Sequence, residues 1–276
     1  MLSFKKTYID SRWSTSDSVD ASNFKVELPQ TMLCPENTVF FISDICIPHV
    51  WTTVEPGYND KLYITTLNVT TYTSYVLTLS SGNYIPSTFA TELQNQLRTL
   101  LGTFTVTVDI NNGVVVNAGT SNAAYAFKIL TDDDLVSGQY WYGASYNKYD
   151  LTSANDLINN RVSSNGFIGA SSSWKSGFLN LNWINNIYIS SPNLGSFDTV
   201  FAGKGDNNII KKTPITVNYG YMNVDQVTVP NDYLDCSKQC LQTLEFHLKT
   251  SKGKYVPLHG ANVSFSIIFN KFSIEL

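Results

Sequence analysis

Three histidines, four cysteines and one acidic run are the groups in this 276-residue chain whose types suit catalysis or metal binding. His49 follows Pro48 at the end of an apolar run, His247 falls on the outward phase of an alternating segment, and His259 precedes Gly260 at a turn. A Cys–His pair, such as Cys46 with one of these, would supply a thiolate nucleophile, but no spacing here joins the two. Cys236 and Cys240 form a C-x3-C pair, and zinc would need a matching pair to complete the site. Cys46 lies in an apolar stretch, where a thiol behaves as a small hydrophobe. Cys34 and the other three are therefore read as structural thiols, with zinc and a disulfide as the alternatives. Asp132 to Asp134 would suit a hard cation, but the alternating acids and distal Glu of a calcium loop are absent. That run reads instead as a solvated strand end or the cap of a short turn. "GKGDNN", from Gly203 to Asn208, resembles a phosphate loop, yet a strand pattern rather than a helix start follows it. No nucleotide-binding, serine-hydrolase or zinc-protease signature occurs. The expectation is no catalytic residue, no cofactor and no metal.

What the sequence offers in place of chemistry is rings. Tyr140, Trp141, Tyr142, Tyr146 and Tyr149 crowd one short stretch, and Trp174 follows not far behind. Flat rings bury the apolar faces of sugars while neighbouring Asn and Asp bond the hydroxyls. The other reading is that these rings pack their own loop or a subunit contact. The six are taken as a candidate outer contact surface for a host-surface receptor or glycan.

The elements that would position such groups are mainly strands. Only 14% of residues are charged, against the usual quarter, and Tyr and Phe are abundant. Such a composition suits pleated sheets and broad uncharged subunit faces. A net charge of −4 gives no support to direct nucleic-acid binding. No apolar run approaches the roughly 20 residues of a membrane span. "MLSFKKTYIDSRWSTSDS" lacks the apolar core of a secretory signal, so the chain is expected to be made in the cytosol and to leave it, if at all, within a larger particle.

Residues 1–22 are polar, with few large anchors, and read as an extended arm, either a frayed terminus or one whose Tyr8, Arg12 and Trp13 would contact neighbouring subunits. From Phe24 the pattern becomes strand-like: Phe24, Val26 and Leu28 alternate with charged residues, and "TVFFISDICIPHVW" is a long apolar strand with Asp44 in its middle. One helix is predicted over 87–101, because Phe89, Leu93, Leu97 and Leu100 share a face. Ser87 or Thr88 would cap it and Gly102 would close it. Asn111-Asn112-Gly113 marks a hairpin. Residues 131–180 show no sustained period and read as an irregular aromatic-rich loop. Strands resume with "NNIYISS". Near the end, Val263, Phe265, Ile267 and Phe269 alternate with Ser264, Ser266 and Ile268, a strand with one face in a core.

The stretch "YIDSRWSTSDSVDASNFKVELPQTMLCPENTVFFISDICIPHVWTTVEPGYNDKLYI" resembles the N-terminal segment of penton and minor capsid proteins of virophages, Polinton-like viruses and related endogenous elements. Its punctuation is "DSR", then "F-x-V-x-L-P", "V-x-x-x-x-D-I-x-I-P" and "N-x-x-L-Y" strands. "SPNLG", "IIKKTPI" and "LHGANVSFSIIF" are similar to the family's C-terminal landmarks. The resemblance covers about half of the chain, mainly 7–66 and 177–269.

The resemblance implies a jelly-roll capsid protein that sits as a pentamer at icosahedral vertices or binds among major capsid proteins. The expected architecture is mainly all-β, a jelly-roll β-sandwich from 23–66 and 181–276. An inserted subdomain, 67–180, would hold one amphipathic helix on a small sheet. The expected partners are further copies of this chain and the major capsid protein, and the expected location is the virion, assembled inside the infected host cell.

Overall fold

The computed structural model describes residues 5–119, 126–146, 151–161, 166–194, 208–226 and 233–271. Among these, fifteen strands and two α-helices are present. In chain order they are β1 (Lys5–Asp10), β2 (Asn23–Leu33), β3 (Thr38–Pro48), β4 (Lys61–Asn68), β5 (Thr71–Thr78), α1 (Pro86–Leu101), β6 (Phe104–Val108), β7 (Gly113–Ala118) and β8 (Ala126–Ile129). There follow α2 (Asp132–Ser137), β9 (Ser173–Phe178), β10 (Asn186–Ser190), β11 (Ile209–Pro214), β12 (Met222–Gln226), β13 (Leu234–Asp235), β14 (Cys240–Lys249) and β15 (Ser264–Lys271). The chain divides into two compact units, one from residues 1–51 and 184–276, the other from 52–183.

The first unit is a jelly roll, and its strand pairing shows why. Setting aside the two-residue β13, eight strands pair first with last: β1 with β15, β2 with β14, β3 with β12, and β10 with β11. That is one long antiparallel hairpin. Rolling it brings β15 against β3 and β10 against β14, giving two sheets in the orders β1-β15-β3-β12 and β11-β10-β14-β2. Two packed sheets of this kind are the jelly-roll architecture. The alternating phases read from sequence face each other across the sandwich. Phe246 of β14 meets Phe265 of β15 edge-on at 4.8 Å, and Phe24 of β2 lies 5.6 Å from Phe246. All three rings are buried. The final strand is thus a core strand, and His259, at φ +49, belongs to the turn before it.

Residues 5–10, read from sequence as part of an arm, are instead the edge strand β1. One buried anchor, Ile9 opposite Phe265, suffices because the free edge of β15 supplies the hydrogen-bonding partner. The following residues fold back on β2: Thr15 N–H donates to Lys25 O at 2.9 Å, and Asp17 pairs with Lys25 at 2.8 Å. Residues 5–22 are therefore not an extended arm, and residues 1–4 of that expectation lie outside the described residues.

The second unit contains two three-stranded sheets, β5-β4-β8 and β6-β7-β9, with α1 lying along β6. Helix α1 buries Phe89, Leu93 and Leu97 completely, as its periodicity predicts. Pro86 occupies its first turn, the Thr88 hydroxyl accepts the Ile85 N–H at 3.0 Å, and Gly102 at φ +95 closes it. Polar contacts also seat it: Arg98 Nε donates to Phe104 O at 2.8 Å, and Gln94 accepts from the Val106 N–H at 3.0 Å. Asn112, at φ +55, makes the β6–β7 turn. Strand β4, assigned from sequence to the jelly roll, belongs to this unit, because among the described strands it pairs with β5 and β8. The stretch expected to be irregular holds α2 and β9. The acidic run forms the first turn of α2, where Thr131 and Asp134 cap each other's backbone N–H groups.

Candidate contact surface

Register fixes the outward face of the β1-β15-β3-β12 sheet. One row crosses it through Val224, Cys46, Ser264 and Asp10, and the next through Gln226, Asp44, Ser266 and Tyr8. The face is weakly charged. Its one acid in the middle, Asp44, accepts from the Ser43 hydroxyl at 2.7 Å and the Ser266 hydroxyl at 2.9 Å, and lies 3.4 Å from the Lys6 ammonium. Burial pushes its carboxyl up, but the two hydroxyls and Lys6 outweigh this and hold it below the usual range.

Tyr8 is 75% exposed on this face, with Lys6 Nζ 5.0 Å from its ring centre. Trp13, 81% exposed, ends the 3-10 turn after β1. Arg12, in the same turn, is held by the Asp10 carboxylate, which its guanidinium keeps below the ordinary carboxylate range. Tyr8, Arg12 and Trp13 thus stand within and just after one edge strand. At the opposite edge Met222 and Val224 are half exposed on β12, with Tyr219 and Tyr221 in the turn before it. Sequence reasoning missed these four. The signal was present in "YMNVDQ": Met222 and Val224 share a phase, and the opposite phase carries Asn223, which is the buried one.

The aromatic stretch of the second unit separates into an exposed and a buried set. Tyr142, 65% exposed, stacks on Tyr72 with ring centres 5.5 Å apart and planes at 24°. Tyr140 is half buried and meets Phe167 edge-on at 5.4 Å and Tyr72 at 6.2 Å. Trp141, between them, points inward; it packs edge-on against Tyr63 at 5.2 Å, and its indole N–H donates to Ala144 O at 2.9 Å. Tyr146 joins that buried group, 5.0 Å from Tyr63. Trp174 is 2% exposed, paired with Val116 in the core under α1. Trp141 and Trp174 therefore offer no outer surface; as the largest apolar side chains in their stretches they are what holds those stretches down. Tyr149 lies outside the described residues. The cluster at the surface is the exposed Tyr142 with half-buried Tyr72, Tyr140 and Phe167, of which Tyr72 and Phe167 were not singled out from sequence.

The three histidines do different structural work. His49 is buried and stacked on Trp51 at 4.3 Å, and its Nδ1–H donates to Val217 O at 2.8 Å. Burial, only partly opposed by that hydrogen bond, lowers its pKa from 6.5. His247 Nε2 lies 2.9 Å from Glu245 on the same strand. Among the described residues no three His, Cys, Asp or Glu side chains are grouped as metal ligands would be. Among them, too, no helix is long and apolar enough to cross a membrane.

No family model matches the chain, and no curated protein does. Among solved structures, the crystal structure of the SeMet-labelled mavirus penton protein is similar over 98% of this chain and 99% of that one, at 11% identity and a TM-score of 0.49. A likeness at that level assigns no function to this chain.

Proposed function

We propose that this chain is a structural virion protein, the penton at the five-fold vertices of an icosahedral DNA virus capsid, and that it acts by self-assembly and by contacts with the major capsid protein. The observation that carries the reading is the first-with-last strand pairing of the first unit, a complete two-sheet jelly roll interrupted by an insertion between β3 and β10. Jelly rolls serve viral capsids, lectins and cupins alike, so the fold alone does not choose. What favours the capsid is the run of motifs from Tyr8 to Ile64, which resembles virophage and Polinton-like penton proteins, together with the weakly charged outward sheet face. Five-fold assembly needs heterologous contacts that close into a ring. The two edges of that sheet, bearing Tyr8 on one and Met222 with Val224 on the other, are different surfaces of the kind such a contact joins.

Particle imaging tests this reading. Density for the chain at the five-fold axes supports it, and density only elsewhere in the shell assigns a different minor capsid role. Mass measurement in solution adds the oligomer number, with a pentamer expected.

A second reading, a receptor- or glycan-binding module of the virion, is favoured by one observation: the stacked Tyr72–Tyr142 pair leaves an aromatic ring exposed to solvent. Glycan-array binding that disappears in Tyr142→Ala would establish it.

A further inference from the structure

Cys34 and Cys236 are far apart in sequence and side by side in the fold. Cys34 follows β2, Cys236 follows β13, and both are buried. The two thiols interact with each other, and the Cys236 Sγ–H also reaches Thr38 O at 3.6 Å. The backbone around them is closed by a short circuit of hydrogen bonds: the Cys34 N–H donates to Gln239 O at 2.8 Å, the Gln239 N–H to Cys236 O at 3.4 Å, and the Cys236 N–H to Thr38 O at 3.0 Å. The Thr38 hydroxyl completes it, donating to Pro35 O at 2.7 Å. Two buried thiols carried on segments tied together in this way are held near each other, and bringing the partners together is the usual obstacle to forming a disulfide. The other two cysteines differ: Cys240 is exposed, and Cys46 lies half buried on the outward sheet face.

We propose that Cys34 and Cys236 are a latent disulfide, reduced where the chain is made and closed once the protein meets an oxidising medium. The reaction is ordinary exchange with a low-molecular-weight disulfide such as oxidised glutathione. One cysteine loses its proton and attacks the oxidant, releasing a first glutathione thiol. The second cysteine then displaces the other glutathione, which leaves as thiolate and takes up a proton. Two protein thiols are oxidised, one small disulfide is reduced to two thiols, and one S–S bond forms in the protein as another is lost. The bridge would join the end of β2 to the turn between β13 and β14 and close a loop that contains the whole of the second unit. Constraint of so long a loop falls mainly on the unfolded chain. The significance for a particle leaving a reducing cell rests on the virion reading; the bond itself does not.

The experiment uses the full-length chain with Cys46→Ser and Cys240→Ser, so that only the two partners remain. The protein is incubated folded with oxidised glutathione and, in a parallel arm, refolded from urea in a glutathione redox mixture. Thiols are titrated after denaturation, and peptides are mapped without reduction. The expected result is loss of both thiols, a Cys34–Cys236 linked peptide, and an unfolding midpoint raised by about 5–10 °C and restored by reductant. Wild-type protein mapped in the same way guards against a folding defect in the variant. Thiols that persist in both arms, or a wild-type bridge that joins other cysteines, would overturn the proposal. Because thiol count and linkage do not depend on where the chain sits in a particle, this result and the imaging result fail separately.

Discussion

The Lys128 ammonium lies 3.4 Å from the Asp134 carboxylate, with only 4% and 1% of the two side chains exposed. Lys128 also sits 4.7 Å over the Tyr140 ring, and Asp134 caps the first turn of α2. One buried pair therefore joins β8, α2 and the turn that carries Tyr140, beside the exposed Tyr142. Removing one partner of such a pair strands a buried charge. Lys128→Met is expected to cost about 3–5 kcal/mol in urea unfolding. The double variant Lys128→Met with Asp134→Asn should recover most of the loss, since the stranded charge is then gone; equal losses in the single and double variants would refute this account.

Trp174 and Tyr142 lie in the same unit and predict opposite outcomes. Trp174→Ala empties a core site beneath α1 and should cost about 3–5 kcal/mol. Tyr142→Ala removes a ring 65% exposed whose described ring contact is the stack on Tyr72, and should cost no more than about 1 kcal/mol. Denaturation curves for the two variants, collected side by side, check the division of this stretch into core and surface.

The same division shows what sequence can and cannot carry. Helix α1 was readable because four large residues repeat at its period, and β15 because Phe265, Ile267 and Phe269 do at a period of two, with Val263 just before it. Strand β9 was not, since "SWKSGF" has a single buried anchor, Trp174, and takes its hydrogen bonds from β7, a partner distant in the chain. Strand β1 failed for the same reason, with Ile9 as the one anchor and β15 as the partner. Edge strands need a neighbour more than they need a pattern. For the contact surface, composition identified a ring-rich stretch but not the phase of each ring. Trp141 and Tyr142 are adjacent, yet one is buried and the other exposed, and the loop conformation that separates them has no periodic signature.

His49 makes the first unit sensitive to mild acid. Its Nδ1–H, its N–H and its C=O hold Val217, Tyr221 and Gly220 respectively, so it anchors the turn that carries Tyr219 and Tyr221. Its folded pKa lies below the 6.5 of the unfolded chain because burial disfavours the cation. The unfolded state therefore binds more protons in the interval between the two values. The contribution is fully present above about pH 6.5 and is lost as pH falls through the folded value. Thermal unfolding between pH 7.5 and 5 should show a steeper loss for the native protein than for His49→Gln, whose amide still reaches toward Val217 O. Parallel curves would remove His49 from the explanation. The carboxylates held low by their partners, such as Asp10 and Asp44, lose their contribution only at more acidic pH and do not overlap this window.

Val69 opens the two-residue loop of the β4–β5 hairpin at φ +54, with 89% of its surface exposed. A β-branched residue in the left-handed region costs about 1–2 kcal/mol, and nothing buried repays it here. Val69→Gly removes the Cβ clash and adds unfolded-chain freedom worth somewhat less. A net gain of about 0.5–1 kcal/mol is expected in urea unfolding, and a loss would mean that the Val69 side chain makes a contribution its exposure does not suggest.

Trp13 and Tyr8 separate folding from assembly. Both are more than 70% exposed beside the edge of the first sheet, while the anchoring of β1 falls to Ile9. Trp13→Ala should leave the stability of the isolated chain within about 0.5 kcal/mol, the usual range for a surface change. Ile9→Ala, which empties a buried site, should cost about 2–5 kcal/mol. If the edge is a subunit contact, Trp13→Ala and Tyr8→Ala will lower the oligomer fraction in sedimentation at matched concentration, because a few exposed aromatic anchors carry much of an interface's energy. An oligomer distribution unchanged in the Tyr8→Ala, Trp13→Ala double variant would move the subunit contact away from this edge and toward the face around Met222 and Val224.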